Sequence, residues 1–179
     1  EQLEAVSQVA LKLKKELEGL GVSVKFDNRD THKPGWKFAE YELKGVPLRL
    51  ALGNRDLENG TVEIARRDTM EKETYQITDI GNKVVNLLDS IQKNLYAKAS
   101  TFREEKTFTA NNYEEFKELI KSGGFVYAHW DGTAETEEKI KQDTKATIRC
   151  IPKDAVLEDG VCVFSGSKSI RKVLFAKAY

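Results

Sequence analysis

The sequence predicts an α/β protein in which a small mixed sheet with packed helices is followed by a smaller α+β domain. Three observations predict this class. Apolar residues recur at helical spacing over residues 2–18, and again from Asp79 to about Lys106. Short apolar segments of strand length lie between and after these two helices. The long helix that begins at Asp79 is the best boundary element between two units, so we predict domains over residues 1–103 and 104–179.

The first predicted domain alternates helices and strands. The helix over residues 2–18 ends at the glycines that follow it. Val22–Phe26 alternates apolar and polar residues, which predicts a short strand. Pro34 suits the first turn of a second helix, which runs to about Lys44. Three further strands are predicted over residues 46–52, 61–67 and 74–78, and turn-forming residues at 54–60 separate the first two.

The second predicted domain begins near Thr107. Asn112 and Glu115 have the spacing of a capping box, which predicts a helix that runs to Ser122. The compact apolar segment over residues 125–130 predicts a buried strand. A charged helix over residues 134–143 and three strands over residues 146–151, 161–164 and 173–178 complete the prediction.

Composition excludes several classes of protein. The chain has 29 basic and 29 acidic residues, so its formal net charge is zero, and binding to nucleic acid must depend on local charge. No apolar stretch approaches the roughly 18 residues of a membrane span. The charged N-terminus has no apolar signal core. Two cysteines are ordinary for a cytosolic protein. We therefore expect a cytoplasmic protein without a membrane partner, and the missing initiator Met predicts a fragment of a longer one.

Sequence motifs for catalysis are missing. The chain has no phosphate-binding loop, no GxGxxG, no HExxH and no GxSxG. Its two histidines, His32 and His129, are far apart in sequence and are interpreted as a loop residue and a strand-end residue. No catalytic residue is therefore predicted.

The distribution of arginine suggests a binding surface. Five of the eight arginines lie within residues 29–67, and residues 25–67 hold nine basic and seven acidic side chains. Such a mixed set suits the reading of unstacked bases, because Arg donates to guanine O6 and N7 while carboxylates accept from N–H groups. Four aromatic residues are available for stacking: Phe26, Trp36, Phe38 and Tyr41. The alternative is that the charges form cross-strand ion pairs and that Trp36 and Phe38 belong to the core.

Longer motifs carry a resemblance to a known family. Residues 27–56 contain D-x-R-D, K-P-G-x-K-F, E-x-x-G-V-P-L-R and G-x-R-D, and residues 65–69 also fit. This stretch resembles the anticodon-binding domain of prolyl-tRNA synthetases of the eukaryote- and archaeon-like type. The segments 146–152, 160–166 and 173–179 resemble the extra C-terminal domain of that type. The resemblance covers essentially the whole chain in two blocks.

The resemblance implies a role in joining proline to its tRNA. The full enzyme of this family uses ATP and magnesium, forms an aminoacyl-adenylate, and is expected to be a homodimer. Its catalytic domain precedes the matching region, so the fragment is expected to be inactive alone. The expected partners are the anticodon loop of proline tRNA and the catalytic domain of the same chain. The alternatives are a freestanding RNA-binding accessory protein without ligase activity, or a structural domain without a ligand.

The resemblance also implies which residues contact the anticodon, which carries two adjacent guanines. The rim of the loop and helix is expected to contribute Arg29, Lys33 and Lys37. Candidate acceptors for guanine N–H groups are Glu40 and Glu42. The strands and their turn are expected to contribute Arg49, Arg55, Asp56, Arg66 and Arg67. Adjacent strand residues point to opposite faces, so at most one of the last two arginines is expected to touch a base.

Many members of the family carry a four-cysteine zinc site in the C-terminal domain. The resemblance places its ligand positions at Asp131, Thr136, Cys162 and Ser165, so one thiolate of four remains. Cys150 lies outside the pattern. We predict that zinc is absent and that hydrogen bonds and packing replace it. Tyr179 resembles the terminal tyrosine of the family, which implies a role towards the catalytic domain, and the alternative is an aromatic residue packed on its own strand.

Overall fold

The computed structural model of the chain describes residues 2–178, so Tyr179 lies outside the described residues. Helices and small sheets make up the structure, and the predicted α/β class is confirmed. The chain divides into two compact units between Ala97 and Lys98. This division lies within helix α4 (Ile80–Glu105), the long helix that the sequence predicts. The predicted domain boundary after residue 103 lies in the same helix and stays a prediction.

The first unit contains one three-stranded sheet and the helices around it. It begins with helix α1 (Gln2–Gly19), and the elements that follow are α2 (Pro34–Leu43), β1 (Leu48–Ala51), α3 (Asn54–Asn59), β2 (Thr61–Arg66) and β3 (Lys72–Gln76). A 3-10 turn over Ile77–Asp79 leads into α4. The strands pair antiparallel in the order β1-β2-β3.

The core of the first unit lies on one face of this sheet. Alternate residues of a strand share a face, so Val62 and Ile64 of β2 point the same way, and both are fully buried. They pack with Leu17 of α1 and with Ile80 and Val84 of α4 in one apolar cluster. Helices α1 and α4 therefore cover the inner face, which leaves the outer face of the sheet to α2.

Two predictions for this unit are wrong. The segment Val22–Phe26 pairs with no strand among the described residues, although the side chains of Val22 and Val24 pack against the core. The alternation of apolar and polar residues reflects burial of one side of an extended segment. Such burial does not require a partner strand. The predicted turn at 54–60 is the short helix α3, which ends at Gly60 in the left-handed conformation with a φ of 66°.

The second unit contains a mixed four-stranded sheet. Its elements are β4 (Thr107–Thr109), α5 (Tyr113–Ser122), β5 (Phe125–His129), α6 (Ala134–Thr144), β6 (Ala146–Cys150), β7 (Gly160–Val161), β8 (Lys168–Ser169) and β9 (Lys172–Lys177). The sheet order is β4-β5-β9-β6, with β4 and β5 parallel and the other pairs antiparallel. Strands β7 and β8 form a separate two-stranded sheet.

Helices α5 and α6 contribute to the core of the second unit. Phe116 of α5 and Phe175 of β9 are fully buried, and their rings meet edge to face with centroids 5.1 Å apart. The predicted capping pair is present, since the side-chain oxygen of Asn112 accepts from the backbone N–H of Glu115 at 2.9 Å. Glu115 in turn accepts from the backbone N–H of Asn111. Capping fixes where α5 begins, and therefore where Phe116 enters the core.

None of the helices within residues 2–178 combines the length and the apolar composition that crossing a bilayer requires.

Candidate nucleic-acid interface

A network of ion pairs holds the loop that precedes α2. The Arg29 guanidinium donates to both carboxylate oxygens of Asp27, at 2.9 and 2.6 Å, and to Glu40 at 2.6 Å. These hydrogen bonds from Arg29 hold the pKa of the Asp27 carboxyl below its usual range. Lys44 and Arg29 lower the pKa of Glu40 in the same way. Arg29 and Glu40 therefore lie at the predicted rim, but they also bind each other.

The two lysines of the predicted rim lie in different environments. Lys37 donates to the backbone carbonyl of Arg29, lies 3.6 Å from the Asp27 carboxylate, and is 16% exposed. Its ammonium group therefore fixes the shape of the loop. Lys33 precedes α2, is exposed, and has no side-chain partner within the described part of the chain.

One aromatic ring beside this loop is open to solvent. Trp36 is 49% exposed, and its ring stacks on His32 with centroids 3.8 Å apart. The Arg29 guanidinium lies 5.6 Å from the centroid of the Trp36 ring. Phe38 differs, because the Arg49 guanidinium covers its ring at 3.5 Å. Trp36 is therefore the ring on which a base can stack.

Arg49 projects from β1 onto the outer face of the sheet. It shares this face with Glu63, whose carboxylate lies 3.8 Å from Nη1, beyond hydrogen-bond distance. The side chain is 13% exposed, and its Nε and Nη1 atoms are buried without a hydrogen-bond partner among the described residues. A buried donor without an acceptor is rare in proteins and calls for an explanation.

Arg66 ends β2 and Arg67 follows it, and the two side chains point in opposite directions, as predicted, towards different helices. Arg66 makes a bidentate pair with Asp68, at 3.0 and 2.8 Å, and reaches Ser90 of α4 at 3.4 Å. Arg67 donates instead to the backbone carbonyl of Glu42 in α2, at 2.9 Å. Asn94 of α4 also donates to the Asp68 carboxylate, so Arg66 serves to attach the sheet to α4.

The two candidates on α3 have opposite roles. Asp56 accepts from the backbone N–H of Gly53 at 2.9 Å and so caps the helix. Arg55 is exposed and has no partner among residues 2–178. The Arg55 guanidinium is therefore free to bind a ligand, whereas the Asp56 carboxylate is already hydrogen-bonded to the backbone of Gly53.

Nine of the ten predicted residues therefore form three groups, and the tenth, Lys33, is exposed just before α2. Arg29, Lys37 and Glu40 meet at the loop before α2, and Arg55 lies with Asp56 on α3. Glu42, Arg49, Arg66 and Arg67 line one cleft between α2 and the sheet. The prediction omits Met70 and Lys72, which line the same cleft. Lys72 lies in β3 opposite Ala65, two residues before the strand that the sequence predicts over residues 74–78.

Hydrogen bonds join the predicted zinc positions in the second unit. The Asp131 carboxylate accepts from the hydroxyls of Thr136 at 2.8 Å and Ser165 at 2.6 Å. It also accepts from the backbone N–H and hydroxyl of Thr133. The backbone N–H of Ser165 donates to the Cys162 sulfur at 3.5 Å. A carboxylate with hydroxyl donors thus connects Asp131, Thr136 and Ser165, three of the four positions that the resemblance assigns to thiolates.

We expect Asp131→Ala to destabilise the second unit by about 2 kcal/mol, because several donors lose a charged acceptor. Burial opposes ionisation of Asp131, but hydrogen bonds from Ser165, Thr133 and Thr136 lower its pKa to about 2. A lowered folded-state pKa stabilises above the unfolded-state value, so this contribution is complete above about pH 4 and is lost towards pH 2. Urea unfolding at pH 7 and pH 2.5 measures both effects. Asp154→Ala, at an exposed loop position, is the control, and equal costs for the two variants would contradict the prediction.

Two families match the chain. The family described as "Anticodon binding domain" matches residues 2–87, and the one described as "Prolyl-tRNA synthetase, C-terminal" matches residues 113–179. The chain is similar to the protein named "Proline--tRNA ligase" of Porphyromonas gingivalis W83, at 57% identity over 179 residues. Proteins of the same name from Flavobacterium johnsoniae and Bacteroides fragilis are 57% and 52% identical. These alignments cover 100% of this chain but 36–37% of each relative.

These relatives are bacterial, so the predicted eukaryote- and archaeon-like type is not borne out. The coarser resemblance is confirmed, since each match falls on the unit in which the sequence motifs predict it. Residues 2–87 belong to the anticodon-binding domain family, and residues 113–179 belong to the family of the C-terminal domain of prolyl-tRNA synthetases.

Proposed function

We propose that this chain recognises the anticodon loop of proline tRNA as part of a proline–tRNA ligase. The observation that carries the proposal is the exposed Trp36 ring, which lies beside the Arg29 guanidinium in the domain that matches the anticodon-binding family. Stacking on an aromatic face is worth about 1–3 kcal/mol per base. An unstacked anticodon base can therefore bind on the part of this ring that His32 and Arg29 leave exposed.

The proposed mechanism is selection by binding. Stacking on Trp36 and contacts from exposed cations, Lys33 and Arg55, hold the anticodon loop, while the ion pairs around Arg29 keep the loop before α2 in shape. A tRNA held at its anticodon reaches a distant reaction centre with its acceptor end already positioned. Specificity arises because a wrong base leaves polar groups of the site unpaired.

We infer that the chemistry lies in the remaining part of a longer protein, since the chain spans 36% of the length of its relatives. That part is proposed to use ATP and magnesium to join proline to tRNA, to form a homodimer, and to contact the two domains described above. The chain alone is expected to be inactive in aminoacylation. We further propose a cytoplasmic location and functional domains over residues 1–103 and 104–179.

A binding titration with two tRNAs tests the proposal. Replacing both anticodon guanines of proline tRNA by adenine is expected to weaken binding by about 1–3 kcal/mol per base, which is about thirtyfold or more in total. Both titrations need the same salt concentration, because phosphate contacts make affinity salt-dependent. Equal affinity for the two tRNAs would refute recognition of the anticodon.

Single substitutions refine the same titration. Arg55→Ala is expected to weaken binding of proline tRNA by about 1–3 kcal/mol, because its free guanidinium is available to the anticodon. Arg149→Ala is the matched control, since it removes an exposed arginine from the second unit. An equal effect of both substitutions would indicate general attraction to the phosphate backbone.

A further inference from the structure

The four-stranded sheet of the second unit is covered by helices on one side only. Val126 and Ala128 of β5, together with Val173 and Phe175 of β9, are buried on the side that carries α5 and α6, in one apolar cluster with residues of both helices. Successive residues of a strand point to opposite faces of a sheet. The residues between these four therefore lie on the other side, which we call the open face.

The open face is apolar along the two central strands of the sheet, β5 and β9. Phe125 and Tyr127 of β5 lie there, and so do Leu174 and Ala176 of β9. Phe125 is 36% exposed, and Tyr127 and Leu174 are partly buried. Ala176 is buried, but none of the four side chains belongs to the apolar core of this unit. They form a separate apolar surface.

The sequences of these two strands are typical of a sheet that is covered on both faces. Residues 125–128 and 173–176 are apolar without interruption. A strand with one face in water normally alternates apolar and polar residues, whereas a strand covered on both faces is apolar throughout. A contiguous exposed apolar surface also marks a site of interaction. A partner is therefore expected on the open face.

The charges of the second unit differ between its sheet and its helices. The four strands contain no Asp or Glu but contain Arg149, Lys172 and Lys177. Helices α5 and α6 contain seven carboxylates and four lysines. Lys172 is paired with Glu158 at 3.0 Å, whereas Arg149 and Lys177 are exposed and have no ion-pair partner within residues 2–178. The sheet therefore offers a partner an apolar centre with cations at its margin.

These features favour one kind of partner over two others. A second copy of the chain would bring the Arg149 and Lys177 side chains of both copies into one interface, and juxtaposed like charges oppose association. An RNA strand needs more cations for its phosphates than these two. A protein surface with an apolar centre and carboxylates at its edge complements both the apolar strands and the unpaired cations.

Building on the proposed function, which makes this chain part of a longer protein, we propose that the open face docks onto the remaining part of that protein. The chain spans 36–37% of the length of its relatives, so most of such a protein lies outside it. The surface that meets the open face is apolar and places carboxylates opposite Arg149 and Lys177. Docking holds the second unit through its sheet and leaves α5 and α6 exposed to solvent.

A native thiol reports whether the open face is covered. Cys150 is exposed and lies opposite Leu174 in the pairing of β6 with β9, so it belongs to this face. We expect iodoacetamide to alkylate Cys150 in the 179-residue chain about tenfold faster, or more, than in the longer protein. Mass spectrometry of the Cys150 peptide measures both rates. Cys162 is buried and is expected to react slowly in both proteins.

Substitutions in the longer protein separate docking from other causes of protection. Leu174→Asp places a carboxylate in the apolar centre and is expected to return Cys150 to the alkylation rate of the 179-residue chain. Slow reaction of Cys162 in this variant shows that the second unit is still folded. Leu11→Asp is the matched control, because Leu11 is 49% exposed on α1, and it is expected to keep Cys150 protected. If Leu174→Asp fails to fold, the exposed Arg149→Glu replaces it and is expected to raise the Cys150 rate.

The possible failures are distinguishable. Equally fast alkylation of Cys150 in the chain and in the longer protein overturns the docking surface, and the proposed function stands if the two tRNAs are still distinguished. If Cys150 is protected but the tRNAs are not distinguished, recognition of the anticodon fails and docking stands. Protection of the 179-residue chain that disappears on dilution would indicate a second copy. Protection that requires added tRNA would indicate RNA, and either result overturns the proposal.

Discussion

Phe175→Ala is expected to destabilise the second unit by about 3–5 kcal/mol, because it removes a fully buried ring and leaves a cavity. The lost edge-to-face contact with Phe116 contributes to this cost. Phe175 also lies opposite Val126 in the pairing of β9 with β5, so the cavity opens beside the central strands of the sheet. Denaturant unfolding followed by hydrogen exchange of the amides in β5 and β9 measures the loss.

Phe125→Ala is the matched control for this substitution. Phe125 begins β5 in the same sheet but is 36% exposed, so its truncation is expected to cost less than about 1 kcal/mol. The prediction fails if the two variants lose the same stability. Exchange of the amides in β2 reports separately on the first unit.

Arg66→Met is expected to destabilise the first unit by about 3 kcal/mol. The Asp68 side chain is 1% exposed, and removal of Arg66 leaves its carboxylate without the bidentate partner. Asn94 still donates to that carboxylate but carries no charge to balance it. Urea unfolding at neutral pH measures the cost.

The pH dependence of this variant gives an independent check. The hydrogen bonds from Arg66 are the main cause that lowers the pKa of Asp68 to about 2 in the native chain. Since a lowered folded-state pKa stabilises above the unfolded-state value, the contribution is complete above about pH 4 and is lost towards pH 2. The difference in stability between the native chain and Arg66→Met is therefore expected to shrink over this range.

Arg67→Met supplies the control, because Arg67 is exposed and makes one hydrogen bond to the Glu42 backbone carbonyl. We expect it to cost less than about 1 kcal/mol. If Arg66→Met and Arg67→Met destabilise the first unit equally, the structural role assigned to Arg66 is wrong. The comparison also separates the two faces of the sheet, since Arg66 reaches Ser90 of α4 whereas Arg67 reaches the Glu42 carbonyl of α2.

Charged residues of the same type have different roles in this domain. Arg29, Arg66 and Asp56 are each satisfied by neighbouring groups, so their first role is to hold the loop, the sheet and α3 in place. Arg55 lacks such a partner within the described residues, and the Nε and Nη1 atoms of Arg49 lack a hydrogen-bond acceptor there, although the Glu63 carboxylate lies 3.8 Å from Nη1. The alternative of ion pairing therefore applies to part of the predicted surface, and base recognition is proposed for the remainder.

Local signals in the sequence predicted the features that depend on neighbouring residues. The capping pair Asn112–Glu115 and the divergence of Arg66 and Arg67 follow from backbone geometry over a few positions. The strand predicted over Val22–Phe26 fails for the opposite reason. Side-chain alternation reports one-sided burial, whereas a strand also needs a partner whose position depends on the rest of the chain.

The sequence by itself determined the α/β class, the long helix between the two units, and the family to which the chain's two domains belong. These properties depend on residue periodicity and on long motifs, which are readable along the chain. Only the tertiary structure decided which charges are occupied, because pairing depends on distances such as the 2.6 Å between Arg29 and Glu40, which are 11 positions apart. The unpaired Nε and Nη1 donors of Arg49 also follow only from the tertiary structure, because a donor is known to lack an acceptor only when every neighbour in space is known.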